Sequence, residues 1–233
     1  PEQALQLFGD VSVLAEQFQF DLDKSIQLPL RYNIAPTQNV AAVRLVDGKR
    51  QLALLRWGLI PSWAKDTKIG SSTINARSDT VATKPAFRAA YKRRRCLVLA
   101  DGYYEWLRVG KSKQPYLYEL DGGKPFALAG LWESWRGPAG PDAPPMETCS
   151  LLTTDANELA KKIHDRMPVI LPWEVAPFWL DPLEPEEKLQ SLLQPLPADL
   201  MATHRVSKQV NNSTIQGHQL IAPETTAGLP FLN

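Results

Sequence analysis

The chain has 233 residues, 44% of them hydrophobic, which is enough to bury a substantial core. Its formal net charge of +1 excludes a global field that would drive it onto nucleic acid or an anionic membrane, so any basic surface must be local. No apolar run approaches the roughly 20 residues of a bilayer-crossing helix, and Cys96 and Cys149, with no metal-ligand partner at short spacing, argue against a disulfide framework or a metal site.

A soluble, cytoplasmic, monomeric protein without cofactor or membrane partner is expected, and 20 prolines with 7 tryptophans point to a turn-rich β body. Residues 2–19 show a rough apolar helical face through Ala4, Leu5, Leu7, Phe8, Val13, Leu14 and Phe18, and a helix is predicted there. Residues 31–36 form a loop, because Pro36 forces its predecessor out of the helical region. Strands are predicted at 40–46, 51–60, 96–109, 116–120, 126–135 and 148–153, with Asp121-Gly122-Gly123 as a hairpin turn between two of them. Residues 138–145 form a Pro- and Gly-rich loop, and short helices are expected at 157–163, 174–180 and 186–193. The tail from Ala222 has no clear periodicity. Sequential strands with helices added at intervals predict an α+β fold, an antiparallel barrel-like β core with peripheral helices, in one domain over 1–233.

Several residues could carry chemistry. Glu105 follows the turn pair Asp101-Gly102 in Tyr103-Tyr104-Glu105-Trp106. A carboxylate packed among aromatics suits general acid–base work, and the plain alternative is a salt-bridged strand glutamate. His164 sits in a dense polar cluster between a predicted helix and strand; it could exchange protons near neutral pH or simply end a helix. Asn75 can donate and accept hydrogen bonds and Arg77 can fork onto a phosphate, although an N-cap and a solvated arginine explain the same spacing. Arg88 and the run from Lys92 to Arg95 supply local positive charge, and Trp57, Trp63 and Trp106 could stack on bases or fill a core.

The order of these signals says more than any one of them. Arg31-Tyr32-Asn33-Ile34-Ala35-Pro36 is followed by Arg56-Trp57-Gly58-Leu59-Ile60-Pro61 with Trp63, then by Ile74-Asn75-Ala76-Arg77-Ser78. The run from Arg95 through Ala100-Asp101-Gly102-Tyr103-Tyr104-Glu105-Trp106 and then His164-Asp165-Arg166-Met167-Pro168 complete the series. This succession resembles the SRAP family, the SOS response-associated peptidases, over about residues 31–223. The resemblance implies a compact α+β fold, binding to single-stranded DNA, and covalent capture of abasic sites by an N-terminal cysteine exposed when the initiator methionine is removed. It also implies that Asn75 orients cysteine and substrate, that Glu105 shuttles protons and that His164 assists sugar ring opening. Arg77 matches a phosphate-binding arginine, and Pro36, Trp63, Arg88 and Arg166 match DNA-groove positions; Trp106 joins them as a stacking candidate.

The sequence as given opens at Pro1, without the family's Cys-Gly-Arg-Phe stretch, and Pro1-Glu2-Gln3-Ala4-Leu5 resembles the start of the helix that follows it. Two alternatives stay open here: residues missing ahead of Pro1, or a lost nucleophile. Two rival functions accompany them, a non-catalytic single-strand-binding module and a thiol peptidase acting on proteins.

Overall fold

The computed structural model describes residues 3–21, 26–120, 122–139, 142 and 144–224. In chain order the strands are β1 Gln3–Leu7, β2 Arg31–Ile34, β3 Asn39–Val46, β4 Lys49–Trp57, β5 Asn75–Arg77, β6 Arg95–Ala100, β7 Gly102–Val109, β8 Ser112–Leu120, β9 Phe126–Trp135, β10 Met146–Asp155, β11 Arg166–Pro168, β12 Ile170–Leu171 and β13 Met201–Arg205. The helices are α1 Val11–Phe18, α2 Arg88–Arg93, α3 Ala176–Leu180 and α4 Glu186–Leu192.

The strands form two sheets. One has five strands in the order β13-β8-β7-β1-β2, all antiparallel. The other has eight, in the order β11-β10-β4-β3-β6-β9-β12, with β5 paired to β10. Because β10 also pairs β9, the strands β10, β4, β3, β6 and β9 close into a ring. The sequence pointed to an α+β fold with a barrel-like core, and the chain forms one. The ring is mainly antiparallel, with β4 and β5 running parallel to β10. Its interior is sealed by aliphatic and aromatic side chains, among them Leu55, Trp57, Val98, Leu128 and Leu151. A smaller cluster of Ala4, Tyr104, Trp106, Leu117, Val206, Val210 and Leu220 lies on the five-stranded sheet.

Five sequence expectations are corrected. The loop expected over 31–36 begins as strand β2, Arg31–Ile34, held by pairing with β1. The helix over 2–19 is a strand, β1, followed by the eight-residue α1. Asp10 caps α1 by accepting from the Ser12 N–H at 2.7 Å, so the helix starts only after Gly9. Ahead of it, pairing on both edges with β7 and β2 outweighs helical propensity, with Leu5 and Leu7 in the main core and Ala4 in the smaller one. The single strand expected over 96–109 breaks at Asp101, and its halves join different sheets. The break has a cause: the Asp101 carboxylate accepts N–H bonds from Phe8 at 2.6 Å and Gly9 at 2.8 Å. At Gly102 a Cβ would stand 2.4 Å from Gln6 Nε2 and 2.9 Å from Leu117 Cδ1, so a larger residue would displace those side chains.

The turn at Gly122-Gly123, both at positive φ, joins β8 to β9 in the other sheet and is not a hairpin, and Asp121 lies outside the described residues. The helix over 157–163 shortens to a 3-10 turn at Ala160–Lys162, with the Asn157 side chain accepting the Ala160 N–H at 2.8 Å. The expected helices at 174–180 and 186–193 form as α3 and α4. No helix among the described residues is long and apolar enough to cross a membrane, and no three His, Cys, Asp or Glu residues group as metal ligands there.

Candidate active site at the seam between the sheets

Five segments of the chain meet where the sheets face each other. Gln3, Ile74, Asn75, Glu105, Thr153, His164, Arg166 and Met167 line one pocket of about 100 Å³. Glu105 comes from β7 and Gln3 from β1, where the register sets the two directly opposite. Asn75 opens β5, which lies parallel along β10 with Asn75 level with Leu151. Its position is fixed from behind, since the Trp57 indole N–H donates to the Ile74 carbonyl at 2.9 Å. His164 and Arg166 come from the turn into β11, which pairs with the end of β10.

The polar contacts are directional. Asn75 Nδ2 donates to Gln3 Oε1 at 2.9 Å, and Gln3 Nε2 donates to Glu105 Oε1 at 3.3 Å. Gln3 is 3% exposed and Glu105 8%. Asn75 Oδ1 is buried and has no hydrogen-bond partner among the described residues. His164 is exposed, and its Nδ1 lies 3.0 Å from the Arg166 backbone N and 3.2 Å from the Arg166 carbonyl oxygen, so its tautomer decides whether it accepts from the one or donates to the other. Beside Glu105, Tyr103 and Tyr118 stack at 4.9 Å, and burial keeps both phenols well above their ordinary range, hence neutral.

Charges gather at one rim. The Arg166 guanidinium donates to the Thr153 carbonyl and to Asp155 Oδ1, each at 2.6 Å. Arg77, on the same face of β5 as Asn75, pairs through two nitrogens with Asp79, at 3.1 and 2.7 Å. Both Arg77 and Asp79 are about half exposed, and the Arg77 guanidinium holds the Asp79 carboxyl below its ordinary range. The two arginines therefore stand in a cluster of alternating sign rather than a bare basic groove.

The remaining candidates are spread out. Trp63 is 59% exposed, and its ring is open to solvent. Pro36 is half-buried in the turn between β2 and β3. Arg88 begins α2 and, with Lys92 and Arg93, lines a separate basic depression of about 410 Å³. Trp106 is corrected: it is 6% exposed, packs in the smaller core and donates its indole N–H to Asn211 at 2.6 Å, so it offers no face to a base. Trp57, fully buried, is likewise core. Cys96 and Cys149 are both sealed, and burial pushes their thiols far above the ordinary range. Sequence reasoning missed Gln3 altogether, because the helix assigned to 2–19 hid the strand that delivers it.

Comparison with known proteins bears on this site. The family model described as SOS response associated peptidase (SRAP) matches residues 5–213. The abasic site processing protein YoqW of Bacillus subtilis is 44% identical over 219 residues, spanning 92% of this chain and 96% of that protein. The abasic site processing protein HMCES of Gallus gallus is 37% identical over 190 residues, 71% of this chain and 55% of the longer relative. A crystal structure of a Bacteroides thetaiotaomicron protein superposes with a TM-score of 0.86 at 27% identity, over 97% of this chain and all of that one.

Proposed function

The chain belongs to the SRAP family, and from that premise we propose that it processes abasic sites in single-stranded DNA at the pocket between its two sheets. The observation that carries the reading is the meeting of Asn75, Glu105 and His164 around the N-terminal end of β1. Because β1 runs antiparallel to β7 with Gln3 opposite Glu105, a residue bonded ahead of Gln3 starts within about 4 Å of the pocket wall, one Cα–Cα step. An N-terminal nucleophile is thereby delivered to the carboxylate.

The chemistry suits such a nucleophile. A free α-amine has a pKa of about 7.7–8.0 against about 10.4 for lysine, so far more of it is unprotonated at neutral pH. The amine adds to the C1′ aldehyde of the ring-opened sugar, and water leaves to give an imine. In a cysteine the neighbouring thiol then adds to the imine carbon, its proton passes to the nitrogen, and a thiazolidine closes. In this reading Glu105 carries protons to and from the amine and the departing water. His164 protonates the ring oxygen during opening, and Asn75 orients the sugar. Arg77 and Arg166 exchange their aspartate partners for phosphates. A thiol peptidase acting on proteins would need an accessible thiolate, and neither Cys96 nor Cys149 supplies one.

The test is fluorescence anisotropy with a labelled single strand carrying one abasic site, against the intact strand and a duplex. Tighter binding of the abasic single strand is expected, and Arg77→Ala should lower the salt slope by roughly 0.7. Equal affinity for all three DNAs would overturn the proposal.

A further inference from the structure

Gln3 stands in the pocket wall with its carboxamide used at both ends, towards Glu105 and towards Asn75. With Glu105 ionised, these bonds have a single polarity. An ionised carboxylate only accepts, so the end of Gln3 that meets Glu105 must be its NH2. The other end is then a carbonyl oxygen, which also only accepts, so Asn75 must turn its own NH2 towards Gln3. What remains is Asn75 Oδ1, a buried acceptor without a partner among the described residues. The charge on Glu105 is thus passed through two amides and fixes the chemical character of the pocket wall.

We propose that Gln3 is a specificity-determining positioning residue: through Asn75 it makes the pocket select a sugar that brings a hydroxyl donor. The proposal rests on the abasic-site reading above. The ring-closed abasic deoxyribose carries such a donor at C1′. Its tetrahydrofuran analogue has the same ring without that hydroxyl and leaves Asn75 Oδ1 unmet. A buried acceptor without a partner is disfavoured by more than an ordinary hydrogen bond contributes, so the two ligands should be well separated.

The test measures affinities of the full chain for two single strands that differ only in carrying the deoxyribose or the tetrahydrofuran site. Wild-type protein should prefer the deoxyribose strand by about tenfold, the ratio expected of one buried hydrogen bond. Gln3→Met keeps the side-chain length and removes both amide ends; the ratio of the two affinities should fall below about twofold. A merely structural role for Gln3 would weaken both strands alike and keep the ratio, and that result would overturn the proposal. A second measurement needs no ligand. In labelled protein, the side-chain NH2 resonances of Asn75 should be well dispersed and slow to exchange. Both features should be lost in Gln3→Met and altered in Glu105→Gln, whose amide no longer imposes a direction. Unchanged Asn75 signals would sink the relay whatever the DNA does. Intact Asn75 behaviour with no preference of wild-type protein for abasic over intact DNA would instead remove the functional reading, and with it the selectivity assigned to Gln3.

Discussion

Both sheets bury polar side chains, but they place them differently: the eight-stranded sheet sets Arg95, Glu133, Thr148, Ser150, Thr153 and Thr154 around an apolar core. The ring of the eight-stranded sheet is closed by apolar side chains, with Leu55, Leu128 and Leu151 wholly buried. The five-stranded sheet buries Gln3, Gln6, Asn33, Asp101, Glu105 and Gln114. Its amides make directed bonds: Gln6 accepts from the Tyr104 hydroxyl and donates to Glu119, Gln114 donates to the Val206 carbonyl, and Asn33 donates to the carbonyls of Val210 and Asn212, although Asn33 Oδ1 has no partner among the described residues. One region is held by area removed from water, which is non-directional. The other relies more on bonds whose direction is fixed, and through Gln3 it meets Asn75 of the eight-stranded sheet across the seam. The candidate site lies where the second kind meets the first.

The sharpest way to break this contrast is by truncation on each side. Leu151→Ala, at the centre of β10, should cost about 2–5 kcal/mol in denaturant-induced unfolding through transfer and cavity effects. Gln6→Ala should cost about 1–3 kcal/mol, since Tyr104 and Glu119 lose a buried partner. A larger loss from Gln6 than from Leu151 would reverse the assignment of the two regions.

A smaller effect is expected in the pH dependence of the polar sheet. Burial holds the Asp101 carboxyl above its ordinary value of 3.8, against the pull of the Phe8 and Gly9 N–H groups, and burial likewise raises Glu119. The folded chain then keeps protons that the unfolded chain has released. By linkage, their contribution is fully present below the ordinary carboxylate values and is lost as pH rises through the window above them. Asp101→Asn removes one of them, so its stability relative to wild type should improve as pH rises through that window. Unfolding midpoints at several pH values give the answer, and a difference that stays flat or moves the other way contradicts it.

The smallest stability effect is expected at Trp63. It is 59% exposed, so Trp63→Ala should change stability by no more than about 0.5 kcal/mol. If it stacks on a base, the same change should weaken single-strand binding by about 1–3 kcal/mol. Unfolding and anisotropy on one sample separate the two.

The contrast also explains what the sequence made legible. Apolar runs announced the ring strands at 40–46, 126–135 and 148–153, because period and composition record burial directly. Glu105, His164 and Asn75 could be singled out by residue type, and the order of the surrounding motifs placed them in one family. β1 was illegible. Its five residues, Gln-Ala-Leu-Gln-Leu, favour a helix in isolation and become a strand through pairing with β7 and β2, chain segments about a hundred and about thirty residues away. Gln3 was lost with it. Trp106 failed for a related reason: a tryptophan beside a candidate catalytic residue suggests stacking, but strand alternation turned it onto the smaller core.

The central claim is that the pocket beside Glu105 receives an N-terminal nucleophile carried by β1. The most direct measurement is a denaturing gel with an abasic oligonucleotide, run without reductant. One chain begins at Pro1; the other carries Glu2→Cys with Pro1 removed, so that cysteine is the first residue, one step ahead of Gln3. Pro1 offers a secondary amine without a thiol, so its chain should give no adduct that survives denaturation. The cysteine chain should give a heat-stable one, formed more slowly when Glu105→Gln is added. A strong adduct from the Pro1 chain, or none from the cysteine chain, would contradict the account.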